Sequence, residues 1–165
     1  DPIDNFKDIT EFSTTAFPGN VYITDKLPKR HSAFSKYLLI FGSDGLCGVG
    51  AITKNFDNDR SGSEAKAKYN ELKMQLTEKY GTPTSIEYLK PGALWKNDNE
   101  FLSSLFYKER SHMCEWTVKV IVNIDKIYLM LNADSQYRSN ISVIYLYKNF
   151  EELKKNATEK EKNAL

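Results

Sequence analysis

Between Ser61 and Pro83 the sequence spells out one helix, and the pattern of that helix dictates what it must lie against. Ala65, Tyr69, Leu72, Leu76 and Tyr80 recur at steps of four, three, four and four, which stacks them in a single apolar stripe. Lys66, Lys68, Glu71, Lys73, Glu78 and Lys79 give the other faces a solvated mixture of charge. Ser61 with Glu64 has capping-box spacing, and Gly81 followed by Pro83 ends the helix. A helix with one apolar stripe has to bury it, and the segments on either side supply a sheet.

Upstream, Tyr37-Leu38-Leu39-Ile40-Phe41 is a continuous apolar run, Ser43-Asp44-Gly45 is a turn, and residues 46–53 return as a hairpin. Alternation puts Leu46, Gly48, Gly50 and Ile52 on one face, with Cys47, Val49 and Ala51 on the other. Two glycines on one strand face predict close approach by another backbone, expected to be a helix. Gly45-x-x-Gly48-x-Gly50 is not a phosphate loop, because it lacks the GxGxxG order and no helix follows it directly. Earlier still, Phe17-Pro18-Gly19-Asn20 turns into a short strand over 21–24, and Leu27-Pro28-Lys29-Arg30-His31 reads as a loop. Residues 1–19 read as an irregular lead-in.

Downstream, residues 84–89 read as a strand closed by Lys90-Pro91-Gly92. Asn97 with Glu100 repeats the cap spacing and opens a shorter helix, with Phe101, Leu102, Leu105 and Phe106 inward and its end near 108–110. From Cys114 onward strands follow. Val118, Val120, Val122 and Ile124 alternate with Lys119, Ile121 and Asn123, Asp125-Lys126 reads as a tight turn, and 127–132 and 141–148 flank a polar loop. Asn149 with Glu152 caps a closing helix with Phe150, Leu153 and Ala157 inward, and the charge run 158–163 reads as its fraying end.

Short consecutive strands of this kind predict one α+β domain over residues 1–165, a largely antiparallel sheet with helices packed on one face. In each half a hairpin feeds a helix, so the order suggests two similar ββα halves, although no residue-level repeat accompanies it. A chain of 165 residues, 41% of them apolar, holds a core without metal or disulfide. The 23 basic and 22 acidic residues are mixed along the chain, with neither the basic stripe of a nucleic-acid binder nor the Lys/Arg helix face of a membrane-surface protein. The apolar runs are too short to cross a bilayer. A first residue of Asp1 rather than Met reads as a trimmed product, signal-peptide removal being one route.

Residue types that carry chemistry are few. His31 sits in a loop. His112 lies in Lys108-Glu109-Arg110-Ser111-His112-Met113-Cys114, and on a strand His112 and Cys114 share one face about 7 Å apart. A base beside a thiol is the start of a nucleophilic pair, but no third member is visible, and a polar helix-to-strand connection is the plainer reading. Asp57-Asn58-Asp59-Arg60-Ser61-Gly62 has the glycine of a calcium loop, yet Lys68 falls where the bidentate Glu should be. No motif requires a cofactor. Cys47 and Cys114 permit either one disulfide or two reduced core thiols, and neither sits in a CxxC. Trp95, Tyr107, Arg110 and Trp116 are of the types enriched at binding hot spots. Trp116 reads as core, which leaves Trp95, Tyr107, Arg110 and His112 as binding candidates.

The run Gly45-Leu46-Cys47-Gly48-Val49-Gly50-Ala51-Ile52, then Leu72-Lys73-x-Gln75-Leu76-x-x-Lys79-Tyr80-Gly81-x-Pro83, Cys114-x-Trp116 and Ala164-Leu165, resembles small bacterial proteins of uncharacterised function, either exported or carried on mobile elements such as integron cassettes. The shared motifs are structural and bring no activity. The resemblance implies a periplasmic or secreted location and a Cys47–Cys114 disulfide. The expected functions are, in order, a non-enzymatic module that binds another protein (an inhibitor, an immunity-like partner or an envelope accessory), a small-ligand binder lined by Tyr128, Tyr145 or Tyr147, and an enzyme using His112 and Cys114.

Overall fold

The computed structural model describes residues 8–12, 14, 17–26, 31–43, 45–119, 121 and 123–163. The loop residues 27–30, Asp44, Val120, Val122, the side chain of Ala157 and the final Ala164-Leu165 lie outside that description. In chain order the elements are β1 (Thr10–Glu11), β2 (Asn20–Thr24), β3 (Phe34–Gly42), β4 (Gly45–Thr53), β5 (Phe56–Asp57), α1 (Ser63–Tyr80) and β6 (Thr84–Leu89). A 3₁₀ turn (Asp98–Glu100) then leads into α2 (Phe101–Phe106), β7 (Arg110–Thr117), β8 (Ile124–Ala133), β9 (Arg138–Tyr147) and α3 (Phe150–Asn163). All nine strands join one antiparallel sheet in the order β1-β2-β3-β4-β9-β8-β7-β6, with β5 pairing the start of β9. The α+β class and the antiparallel sheet are therefore as the sequence predicts.

The two faces of the sheet differ. On one face, Ala65, Tyr69, Leu72 and Leu76 of α1 and Phe101, Leu102 and Leu105 of α2 pack on Cys114, Trp116, Ile127, Leu129, Ile141 and Val143. On the other, Phe150 and Leu153 of α3 join Val21, Leu38, Ile40, Cys47, Ile144 and Leu146. Helices on one face thus describes α1 and α2, while α3 lies against the opposite side. The hairpins β3–β4 and β8–β9 meet across the β4–β9 pair, but the helices that follow them go to opposite faces, so the two halves correspond in their hairpins alone.

The local corrections have local causes. The glycines of β4 make room for side chains of the neighbouring strands, not for a helix. A Cβ on Gly48 would meet Leu146 Cδ2 and Tyr145 O at 3.0 Å, and one on Gly50 would meet Leu38 Cβ at 3.2 Å. A bulge where Ile40↔Gly48 gives way to Phe41↔Leu46 leaves Cys47 opposite no residue and turns it into the α3-side cluster, away from Val49 and Ala51. Ser61 does not cap α1. Gly62 is its N-cap at φ 65, and Asp59 reaches in to accept from Glu64 N at 2.9 Å. The Asn97/Glu100 capping box exists but closes the 3₁₀ turn. Asn149 instead donates its side-chain amide to Leu46 O at 3.3 Å. β7 begins at Arg110, ahead of the predicted start, and of the alternating stretch the described residues Val118, Lys119, Ile121 and Asn123 lie outside any strand. Asp125 and Lys126, expected as a turn, fall inside β8.

Candidate functional site

Two neighbouring clusters hold the chemistry-bearing side chains. The first is built where α1 crosses β6 and β7. Cross-strand pairing sets Ser85 opposite Cys114 and Glu87 opposite His112, and strand alternation turns all four toward α1. Helical spacing brings Tyr69 and Lys73 down from the same side of α1. Lys73 Nζ lies 2.9 Å from Glu87 Oε1 and 3.2 Å from Ser85 Oγ. The Tyr69 hydroxyl lies 3.3 Å from Cys114 Sγ and 3.4 Å from Glu87 Oε1, one proton shared between two acceptors. The thiol in turn stands 3.6 Å from Glu87 Oε1. The His112 ring rests against Tyr69 at 4.5 Å and against the edge of Phe101 at 5.3 Å. Arg110 and Lys66 approach the Phe101 ring at 5.0 and 4.6 Å.

The charges follow from this packing. Burial favours neutral His112 and lowers its pKa from the usual 6.5, with the positive Lys73, Arg110 and Lys66 acting the same way and Glu87 opposing. Burial acts to raise Glu87, but the hydrogen bond from Lys73 and the charges of His112 and Lys73 hold it below 4.5. Burial and the neighbouring Cys114 and Glu87 push the Tyr69 hydroxyl far above its ordinary range. His112 and Cys114 do share a face, as the sequence predicts. The missing third member is present as Glu87, together with Lys73 and Tyr69. Yet Cys114 and Tyr69 are both 0% exposed. The thiol and the phenol are shut off from solvent, while Lys73 and Glu87 keep 28% and 32% of their side-chain surface exposed, and together they tie α1 to the sheet edge.

The second cluster is open. Trp95 stacks on Tyr107 with ring centroids 5.6 Å apart and planes within 9°. Glu109 Oε2 accepts from the backbone N–H groups of Leu94 and Trp95 at 2.9 and 3.0 Å, pinning the loop that carries them. Gln136 Nε2 donates to the Tyr107 hydroxyl at 2.8 Å from the β8–β9 connection. Leu94 is 80% exposed, Tyr137 53%, Tyr107 48% and Phe106 38%, so these apolar groups crowd one end of the molecule in contact with water. The prediction that Phe106 faces inward is corrected here, because α2 ends at Phe106 and its ring meets Tyr107 edge-on at 5.1 Å.

The four binding candidates therefore separate into two pairs: Trp95 with Tyr107 on the open face, Arg110 with His112 around Phe101. Arg110 Nε donates to Ser104 Oγ at 2.8 Å, which fixes α2 to β7. Leu94, Phe106, Glu109, Gln136 and Tyr137 were not foreseen. Leu94-Trp95 after Pro91-Gly92 was the available signal, whereas Gln136 and Tyr137 are brought in by the sheet from distant sequence. In the sequence pattern Lys73 belongs to the solvated side of the helix, and residues 84–89 are marked only as a strand; the alternation of β6 is what aligns Ser85 and Glu87 with α1 and Cys114.

No disulfide joins Cys47 and Cys114. Both are buried, in clusters on opposite faces of the sheet, and this corrects the expected pairing. Both Asp59 oxygens accept hydrogen bonds, from Ser61, Ser63 and Glu64 N, and although burial acts to raise Asp59, these bonds hold its pKa down. Among the described residues no group of three or more His, Cys, Asp and Glu is placed to hold a metal ion, and no helix is long and apolar enough to cross a membrane. Of the tyrosines expected as alternative linings of a pocket, Tyr128 faces the α3 side and Tyr145 the α1 side, so these two do not line one together. Tyr145 instead borders an apolar groove of about 420 Å³ with Phe34, Tyr37, Leu39, Val49 and Ala51.

Fold and sites together define an α+β protein with an open aromatic face beside a half-buried polar joint. No protein-family model matches the chain, and no match was found among curated proteins or solved structures.

Proposed function

We propose that this chain is a non-enzymatic module that binds another protein through the face formed by Leu94, Trp95, Phe106, Tyr107 and Tyr137. One observation carries the reading. Trp95 and Tyr107 are stacked and held from both sides by Glu109 and Gln136, so large amphipathic rings stand in water already ordered. Ordering such side chains is a cost of association, and here the fold has met it before any partner arrives. Trp and Tyr dominate binding hot spots for the same reasons of area and rigidity. An inhibitor or immunity-like role, in which a small protein occludes a larger one, suits this chemistry. The test uses the immobilised chain and a Trp95→Ala/Tyr107→Ala variant as parallel baits in extract of the source organism. A protein retained in stoichiometric amount by the first and lost by the second is the expected result. Retention of nothing by the native chain, in both cytoplasmic and envelope fractions, overturns the reading.

A second reading, a small apolar ligand, rests on the groove bordered by Tyr37, Leu39, Val49 and Tyr145. Saturable binding of a hydrophobic fluorescent probe, abolished by Val49→Trp, would support it; linear, non-saturating uptake would remove it.

A further inference from the structure

We infer that the edge strand β6 pairs with β6 of a second copy, joining two sheets into one through a two-fold axis at Ile86. This goes beyond the binding face proposed above and does not depend on it.

Among the described residues β6 lies at the end of the strand order, with β7 on one side only. Its outward-facing groups can be identified. Lys90 N donates to Glu109 O at 2.8 Å, so the main chain of Lys90 faces β7. Alternation along an antiparallel ladder then turns the main chain of Thr84, Ile86 and Tyr88 toward β7, and leaves Ser85, Glu87 and Leu89 with N–H and C=O pointing away from the sheet. Natural edges are commonly blunted by lysine, proline or a bulge. β6 has no lysine or proline within it, its pairing with β7 runs without a register shift, and its one charge, Glu87, is taken up by Lys73.

The sequence of the strand selects one self-pairing register. For both copies to keep α1 on the same side, the axis must be perpendicular to the sheet, which pairs residues of like parity. An axis at Glu87 would oppose two carboxylates. An axis at Ser85 would bring Pro83, which has no N–H, opposite Glu87 and lose a donor. An axis at Ile86 pairs Ile86 with Ile86, Thr84 with Tyr88, and Ser85 with Glu87. In that register the outward groups of Ser85 and Glu87 close four main-chain hydrogen bonds, and the N–H of Leu89 reaches the C=O of Pro83 in each copy. Charge agrees with geometry: Lys73 Nζ is 3.2 Å from Ser85 Oγ, so setting Ser85 opposite Glu87 brings the Lys73 ammonium of one copy beside the carboxylate of the other. On the far face Ile86 and Tyr88, the latter 51% exposed, extend the row that Met113 begins.

Light scattering on the eluting native chain, across a range of loading concentrations, is expected to give twice the chain mass at the upper end. Ser85→Pro removes an outward N–H while leaving the β7 ladder intact, and is expected to give the single-chain mass. Ile86→Cys places two thiols across the axis, where Cα atoms of such a pair stand about 4.5 Å apart, within disulfide reach. Mild oxidation should therefore couple Ile86→Cys into a covalent dimer and leave Tyr88→Cys, whose opposite residue is Thr84, uncoupled. A native chain that remains single at every concentration, a Ser85→Pro variant that stays dimeric, or equal coupling at 86 and 88 overturns the inference.

Discussion

The joint beneath α1 and the face at the end of α2 are neighbours with opposite characters. Into the joint the fold gathers a thiol, an imidazole, a carboxylate, an ammonium and a phenol, burying the Cys114 thiol and the Tyr69 phenol fully while Lys73 and Glu87 keep 28% and 32% of their side-chain surface in water. The face carries no thiol or imidazole, and its Glu109 carboxylate is spent on the Leu94 and Trp95 N–H groups, yet Trp95 and Tyr107 form an ordered stack beside exposed apolar side chains. The thiol is shut inside the brace, and the large rings are left at the surface. What distinguishes a site from a brace here is how much of its central groups solvent can reach.

The comparison is tested most severely at the bottom of the joint. Trp116 is 1% exposed and donates its indole N–H to Gly81 O at 2.8 Å, directly beneath the end of α1. Trp116→Ala is expected to cost about 3–5 kcal/mol in urea unfolding. A loss below about 1 kcal/mol would mean that the joint is not closed. Next comes Tyr69→Phe, which keeps the ring but takes the donor away from Cys114 and Glu87. A loss of about 1–2 kcal/mol is expected, and a neutral result would show that the hydroxyl is not serving them.

Smaller still is the response to pH. His112 has a folded-state pKa below 6.5, so between that value and 6.5 the unfolded chain binds more protons, and stability falls as pH falls through this window. Glu87 lies below 4.5 when folded, so its contribution is present above 4.5 and is lost as pH drops through the folded value. Both losses run in the same direction. His112→Phe, which retains a ring against Tyr69 and Phe101, should flatten the upper window in urea midpoints measured against pH and leave the lower one. An identical decline in both proteins would detach His112 from the joint. The smallest effect belongs to the open face: Leu94→Ala, at a side chain 80% exposed, should leave stability within about 0.5 kcal/mol, the range of exposed substitutions. A core-sized loss there would turn the face into part of the scaffold.

Much of this architecture could be read directly from the residues. The stripe from Ala65 to Tyr80 and the hairpin around Gly45 announce themselves because periodicity and turn chemistry act over a few residues. β6 was delimited at both ends, since Pro83 and Lys90-Pro91-Gly92 flank it. What failed depended on distant neighbours. The alternation runs on past Thr117, but β7 ends there, paired with Lys126 of β8, so tertiary pairing and not the local pattern sets where the strand stops. The bulge that turns Cys47 to the α3 side inserts a residue that alternation cannot count. The open face was half legible, through Trp95 and Tyr107, while the contribution of Gln136 and Tyr137 depends on the β8–β9 connection reaching α2. The joint was legible only as a His112–Cys114 coincidence, because Glu87 and Tyr69 are set against them by packing.

The place of β9 has a further consequence, one of timing. Among the described residues it is the last strand in sequence, yet it sits between β4 and β8 at the centre of the sheet. Until it has formed, β1–β4 and β6–β8 are two separate ribbons, each with an inner edge that has nothing to pair with. Synthesis must therefore pass Tyr147 before this sheet can be completed, and closure waits on contacts of long sequence separation, which makes for slow folding. A ribosome stalled before residue 138 would present the edges of β4 and β8 together, a species inclined to aggregate and a natural client for chaperones.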